Sequence, residues 1–80
     1  MHISLDVLDA ALEQARLRQS LPPRAKRRLL RESAEVSQAT LAKALGVDRA
    51  TISRWESGAR EPGGAHLAAY LQALERLAAR

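Results

Sequence analysis

The stretch Ser37-Gln38-Ala39-Thr40-Leu41-Ala42-Lys43-Ala44-Leu45-Gly46-Val47-Asp48-Arg49-Ala50-Thr51-Ile52-Ser53-Arg54-Trp55-Glu56-Ser57-Gly58 decides the fold. It reads as two short helices separated by a tight turn. Ser37 caps the first, which reaches Leu45. Gly46 stops it, because the residue just past a helix end usually needs a positive φ. Asp48 caps the second, which runs to Ser57 and is stopped by Gly58. Helices joined so closely must cross steeply, with a small residue where the backbones meet, and Ala42 supplies it. Leu41, Leu45, Val47, Ile52 and Trp55 are spaced to tie both helices to a third.

Together these requirements define a helix-turn-helix. Working outward, Pro22-Pro23 and Pro62-Gly63-Gly64 are the two strong breaks, and they cut the chain into segments 1–21, 22–61 and 62–80 of a single domain. The first segment predicts an amphipathic helix over about 4–19, for packing or dimerisation. Ser4 is its N-cap, acids lie in its opening turns, Arg16 and Arg18 lie at its end, and its apolar stripe is Val7, Leu8, Ala11, Leu12 and Ala15. In the middle segment Pro23 opens a further helix, to about Ala34, with Ala25, Leu29 and Leu30 facing inward. The last segment predicts one unbroken helix over 65–79, with Leu67, Tyr70, Leu71, Leu74, Leu77 and Ala78 as its stripe.

Composition agrees with helices. The chain has 80 residues and no cysteine, and 16 Ala and 13 Leu make up most of its apolar content. Such a chain, poor in β-branched residues and without Phe, reads as all-α. Disulfides and thiolate metal sites are excluded, and the longest apolar runs, three or four residues, are too short to span a membrane. No secretory leader is visible, so a cytoplasmic location is expected, on the nucleoid if the partner is DNA.

The charge is localised. Segment 1–21 sums to −1, 22–60 to +5 and 61–80 to zero, so the whole excess of +4 lies in the middle. A basic patch confined to one segment points to an anionic partner, most often nucleic acid. On a helical projection Arg49, Ala50, Ser53, Arg54 and Ser57 share one arc of their helix, and Ile52 and Trp55 lie opposite, toward the core. The arc holds two arginines and no acid, whereas a solvated face usually mixes both signs.

A major-groove face needs long donors and small residues that allow close approach. Arg49 and Arg54 are therefore the main candidates for base contacts, reading guanines, and Ala50 and Thr51 complete that set. The plain alternative for Arg54 is a surface arginine paired with a carboxylate. Phosphate contacts fall to Gln38, at a helix N-terminus that already favours an anion, and to Ser53, Ser57, Arg60 and Arg28. Arg24, Lys26, Arg27 and Arg28 span more than one helix face, so part of that cluster must turn away from DNA.

These residues also resemble the Cro and phage-repressor-like (XRE) helix-turn-helix proteins. The likeness covers about residues 24–74 and rests on Ser37-Gln38, Leu41-Ala42, Leu45-Gly46-Val47, Ile52-Ser53, Trp55-Glu56-Ser57-Gly58 and Pro62. It implies a lambda-repressor-like five-helix bundle with an extra N-terminal helix and a long C-terminal one. It also implies base reading from Arg49, Ala50 and Arg54, a grip on the DNA backbone by Gln38, and an internal ion pair between Arg31 and Glu56. The chain departs from the family in four places, the added N-terminal helix being one. Ser57 stands where Asn is frequent, Trp55 where Leu or Ile is usual, and one continuous C-terminal helix replaces two.

The expected function is a sequence-specific transcriptional regulator, a Cro-like repressor of phage or prophage type, bound as a homodimer to an inverted repeat in double-stranded DNA. An antitoxin with a toxin docked on a terminal helix, or a protein adaptor that does not read DNA, are the competing readings. No enzyme, cofactor, metal, membrane or small-molecule ligand is indicated. His2 and His66 lie in different terminal segments without metal-ligand spacing, and Gly63-Gly64 is no phosphate loop.

Overall fold

The computed structural model describes residues 2–80, so Met1 lies outside it. The chain forms α1 (Leu5–Ser20), α2 (Arg24–Ser33), α3 (Gln38–Leu45), α4 (Arg49–Ser57) and α5 (Ala65–Ala78), with no strand among the described residues. The middle caps form as the sequence requires. Ser37 Oγ accepts the amide of Thr40 at 3.0 Å, and Asp48 Oδ1 accepts that of Thr51 at 2.8 Å. Gly46 (φ 70°) and Gly58 (φ 81°) end α3 and α4 in the left-handed region. The exposed Arg24 guanidinium crosses Gly58, so a Cβ there would displace that flexible side chain. Ser4 stands at the N-cap of α1, but its hydroxyl makes no capping bond.

α3 and α4 cross against one another, with Ala42 buried at the approach; α3 rests on α5, α4 meets α5 through Trp55, and α2 packs on α4 and α5. Leu41, Ala42, Ile52, Trp55, Tyr70 and Leu74 form the core, and Leu67 is fully buried beside them. Each large aliphatic side chain removed from water there contributes about 1.5–3 kcal/mol. The Trp55 and Tyr70 rings pack at a tilt with centroids 4.8 Å apart, so Trp55 is a core residue. The Tyr70 hydroxyl is buried without a hydrogen-bond partner, and burial pushes its pKa up to about 12.

Two sequence expectations require correction. Leu30 packs half-buried against the core as expected, but Ala25 and Leu29 face solvent. The inward face of α2 is taken by Arg27 and Arg31, whose guanidiniums find enough oxygen partners to be buried, and Ala25 and Leu29 lie on the opposite side. Pro23 occupies the N-cap rather than the first helical turn.

Within the chain the stripe of α1 is covered only at Ala15, while Val7, Leu8, Ala11 and Leu12 are exposed. The helix packs against α5 through its C-terminal half, where Gln14, Ala15 and Leu17 are half-buried, and no residue of α1 is fully buried. Its N-terminal half projects, giving a molecule 52 Å long with a radius of gyration of 14.1 Å. A compact domain of this length would have about 12 Å.

Candidate nucleic-acid interface

α4 is amphipathic in the sense the projection requires. Ile52 and Trp55 hold it to the core, while Arg49, Ala50, Ser53, Arg54 and Ser57 are exposed. Thr51 is half-buried, and its hydroxyl donates to the Asp48 carboxylate at 2.6 Å. That bond, with the Thr51 amide, holds the Asp48 carboxyl below its usual pKa. The Thr51 methyl is therefore what remains for contact. Among the described residues no carboxylate lies within ion-pair distance of Arg49, Arg54 or Arg60. These three arginines are not neutralised by their own fold.

Arg49 is nevertheless held. Its Nη1 donates to Gln38 Oε1 at 3.2 Å, and Gln38 Nε2 donates to Glu56 Oε1 at 3.0 Å. Glu56 in turn takes both Nε and Nη2 of Arg31, at 2.6 and 3.0 Å. Arg31 also donates to the carbonyl of Val36, just before α3. A continuous chain thus runs from the buried pair to the exposed arginine. Burial pushes the Glu56 pKa up, but the bonds from Arg31 and Gln38 and the charges of Arg31 and Arg28 outweigh it, and the carboxyl sits below its ordinary value. The Arg31 pKa is raised, chiefly by its bonds to Glu56.

At the N-terminus of α3, Arg28, Arg31, Ser37, Gln38, Ala39 and Arg49 line an open depression of about 410 Å³. The first amides of α3 have no intrahelical acceptor and point to this rim, where the helix dipole favours an anion. Arg28 is exposed there and reaches Glu32 at 3.3 Å, an exposed pair that contributes little and exchanges readily. At the far end of α4 the Ser57 hydroxyl is occupied locally, donating to the Arg54 carbonyl and accepting from the Ala59 amide. Arg60 is exposed beside it.

The basic cluster on α2 divides. Lys26 and Arg28 face outward, Arg24 donates to the Ser57 carbonyl, and Arg27 is buried. Arg27 donates to the carbonyls of Pro22 and Trp55 and to Glu61, at 2.8, 3.1 and 3.1 Å. Sequence reasoning missed the Arg27–Glu61 bridge and the double role of Gln38. Arg27 does lie one turn before Arg31, on the same helix face, and that spacing was the available signal.

No group of three His, Cys, Asp or Glu is placed to hold a metal, and no helix is long and apolar enough to cross a membrane, among the described residues. A family model described as helix-turn-helix matches residues 28–77. The match takes in α3, α4 and most of α2 and α5, and leaves α1 outside. No curated protein and no solved structure matches the chain significantly.

Proposed function

The chain belongs to the XRE, Cro-like family of helix-turn-helix DNA-binding transcription regulators, and from that premise we propose that it is a sequence-specific repressor that binds an inverted-repeat operator as a homodimer. The observation that carries this reading is the outer arc of α4, which presents arginines free of carboxylate partners and small residues, with no acid, on a helix anchored by Ile52 and Trp55. Arg49 and Arg54 donate to guanine O6 and N7 in the major groove, the commonest specific pairing. Ala50 lets the helix approach, and the Thr51 methyl meets a base edge.

Gln38, Ser53, Arg60 and Arg28 fix the docking on phosphates, and Ser57 joins them when its hydroxyl turns from the Arg54 carbonyl. The Glu56–Gln38–Arg49 chain orients Arg49 before DNA arrives, so less side-chain freedom is lost on binding. Two half-sites about 34 Å apart match a two-fold dimer, and occupancy of promoter DNA excludes polymerase. A protein acting in this way works in the cytoplasm, on the nucleoid.

Binding measured by fluorescence anisotropy tests the roles. Arg54→Ala should weaken binding to a guanine-containing half-site by about 1–3 kcal/mol, roughly 5- to 150-fold, and relax preference at one position. Arg28→Ala should weaken binding to all sequences alike and reduce the salt dependence. Equal binding of all duplexes by the wild type and by Arg54→Ala would overturn base reading from α4.

A further inference from the structure

The N-terminal half of α1 serves neither the core nor the proposed DNA face. The chain exposes 5617 Å², whereas a compact monomer of 8.8 kDa exposes about 4,800 Å². The excess, about 800 Å², equals what one partner contributes to an interface of standard size. Much of it is apolar and in one place. Ile3, Leu5, Val7, Leu8 and Leu12 are 52–75% exposed, and apart from Leu29 they are the exposed large hydrophobics among the described residues. Most helical stability in proteins comes from packing an amphipathic face, and the first turns of α1 pack on nothing. Covering this face would stabilise the helix itself.

The pattern of the face identifies what covers it. Leu5, Leu8 and Leu12 are spaced by three and then four, the repeat of a coiled-coil seam, and such a seam is complementary to a copy of itself. Its flank carries Asp9 and Arg16, of opposite sign, and segment 1–21 is close to neutral at −1. That charge suits a like segment better than DNA or a strongly charged protein. α1 packs on α5, while α4 packs on α2 and α3, so pairing through α1 leaves both DNA faces open.

We infer that the Leu5–Leu8–Leu12 face of α1 is the homodimer interface, covered by the same face of a second copy. The inference rests on the dimeric reading above and gives it a surface. Light scattering on the full chain over a range of concentrations tests it, with Leu8→Asp/Leu12→Asp as the variant. Neither residue touches the core, so Trp55 fluorescence and its thermal transition report a body that stays folded.

The wild type should reach twice the 8.8 kDa chain mass, and the double variant should remain a monomer. The variant should also keep wild-type affinity for a single half-site and lose at least about tenfold on the inverted repeat. A variant that still dimerises overturns the inference and moves the interface elsewhere, leaving the homodimer intact. A wild type monomeric at every concentration overturns both the seam and the homodimer and leaves the face to a different protein. Half-site binding is unaffected by either outcome and separates these failures from failure of DNA reading.

Discussion

α1 and α5 are both terminal, Ala/Leu-rich helices of similar length, 16 and 14 residues. α5 buries Leu67, Tyr70, Leu71 and Leu74, whereas α1 buries nothing fully. The same contrast holds for charge. Arg31–Glu56 and Arg16–Glu13 are both two-bond pairs with nearly the same distances, 2.6 and 3.0 Å. The Arg31 and Glu56 side chains are 10% and 5% exposed, those of Arg16 and Glu13 63% and 53%. Amphipathic spacing shows that a helix has a face to cover, and environment decides whether that face or that pair contributes to stability.

Matched substitutions should separate the two regions in urea unfolding followed by Trp55 fluorescence. Glu56→Ala leaves the Arg31 guanidinium buried and unpaired, and should cost about 3–5 kcal/mol. That is a large share of the roughly 4–12 kcal/mol expected for a domain of this size. Glu13→Ala should leave the midpoint unchanged. Although Arg16 holds the Glu13 carboxyl below its usual pKa, the pair is exposed to solvent. Equal losses from the two would erase the distinction. Leu67→Ala should cost about 2–5 kcal/mol through the cavity it leaves. Leu12→Ala, measured in the monomer, should stay within about 0.5 kcal/mol.

Acid sharpens the same contrast. The Glu56 and Asp48 carboxyls both sit below their ordinary values of 4.5 and 3.8 in the folded state, so the unfolded chain binds protons first. Their contribution is complete above the ordinary carboxylate range and is lost as pH falls through the depressed values. Melting temperature should therefore be flat near neutrality and fall below about pH 4.5, less steeply in Glu56→Gln. Tyr70→Phe should have a smaller effect than the substitutions at Glu56 and Leu67, and the opposite sign. It removes a buried hydroxyl with no partner, for a gain of about 1 kcal/mol. Because the Tyr70 pKa is raised to about 12, the native chain also loses stability as pH climbs above 10, and this variant should lose less.

Caps and turns were legible in the sequence because their causes are local. Ser37, Gly46, Asp48 and Gly58 each act on the backbone within a few residues, and all four stand where the sequence put them. The inner face of α4 was legible too, since Ile52 and Trp55 have only one apolar side to share. α2 was not. Leu29 and Ala25 are apolar, but Arg27 and Arg31 gain oxygen partners from Pro22, Val36, Trp55, Glu56 and Glu61, which are distant in sequence or fixed only once the chain turns. The same limit applies to the outer surface. Its arginines are visible in the sequence, but the chain Arg31–Glu56–Gln38–Arg49 joins three helices and exists only in the fold.

The most direct test of DNA reading by α4 is selection of bound duplexes from a random pool at about 0.15 M salt, where phosphate-only binding is partly suppressed. Wild type and Arg54→Ala would be run in parallel. The account predicts an enriched inverted repeat with guanines in each half-site for the wild type, and loss of preference at one guanine per half-site for Arg54→Ala. No enrichment by the wild type, with only weak salt-sensitive binding, would contradict it.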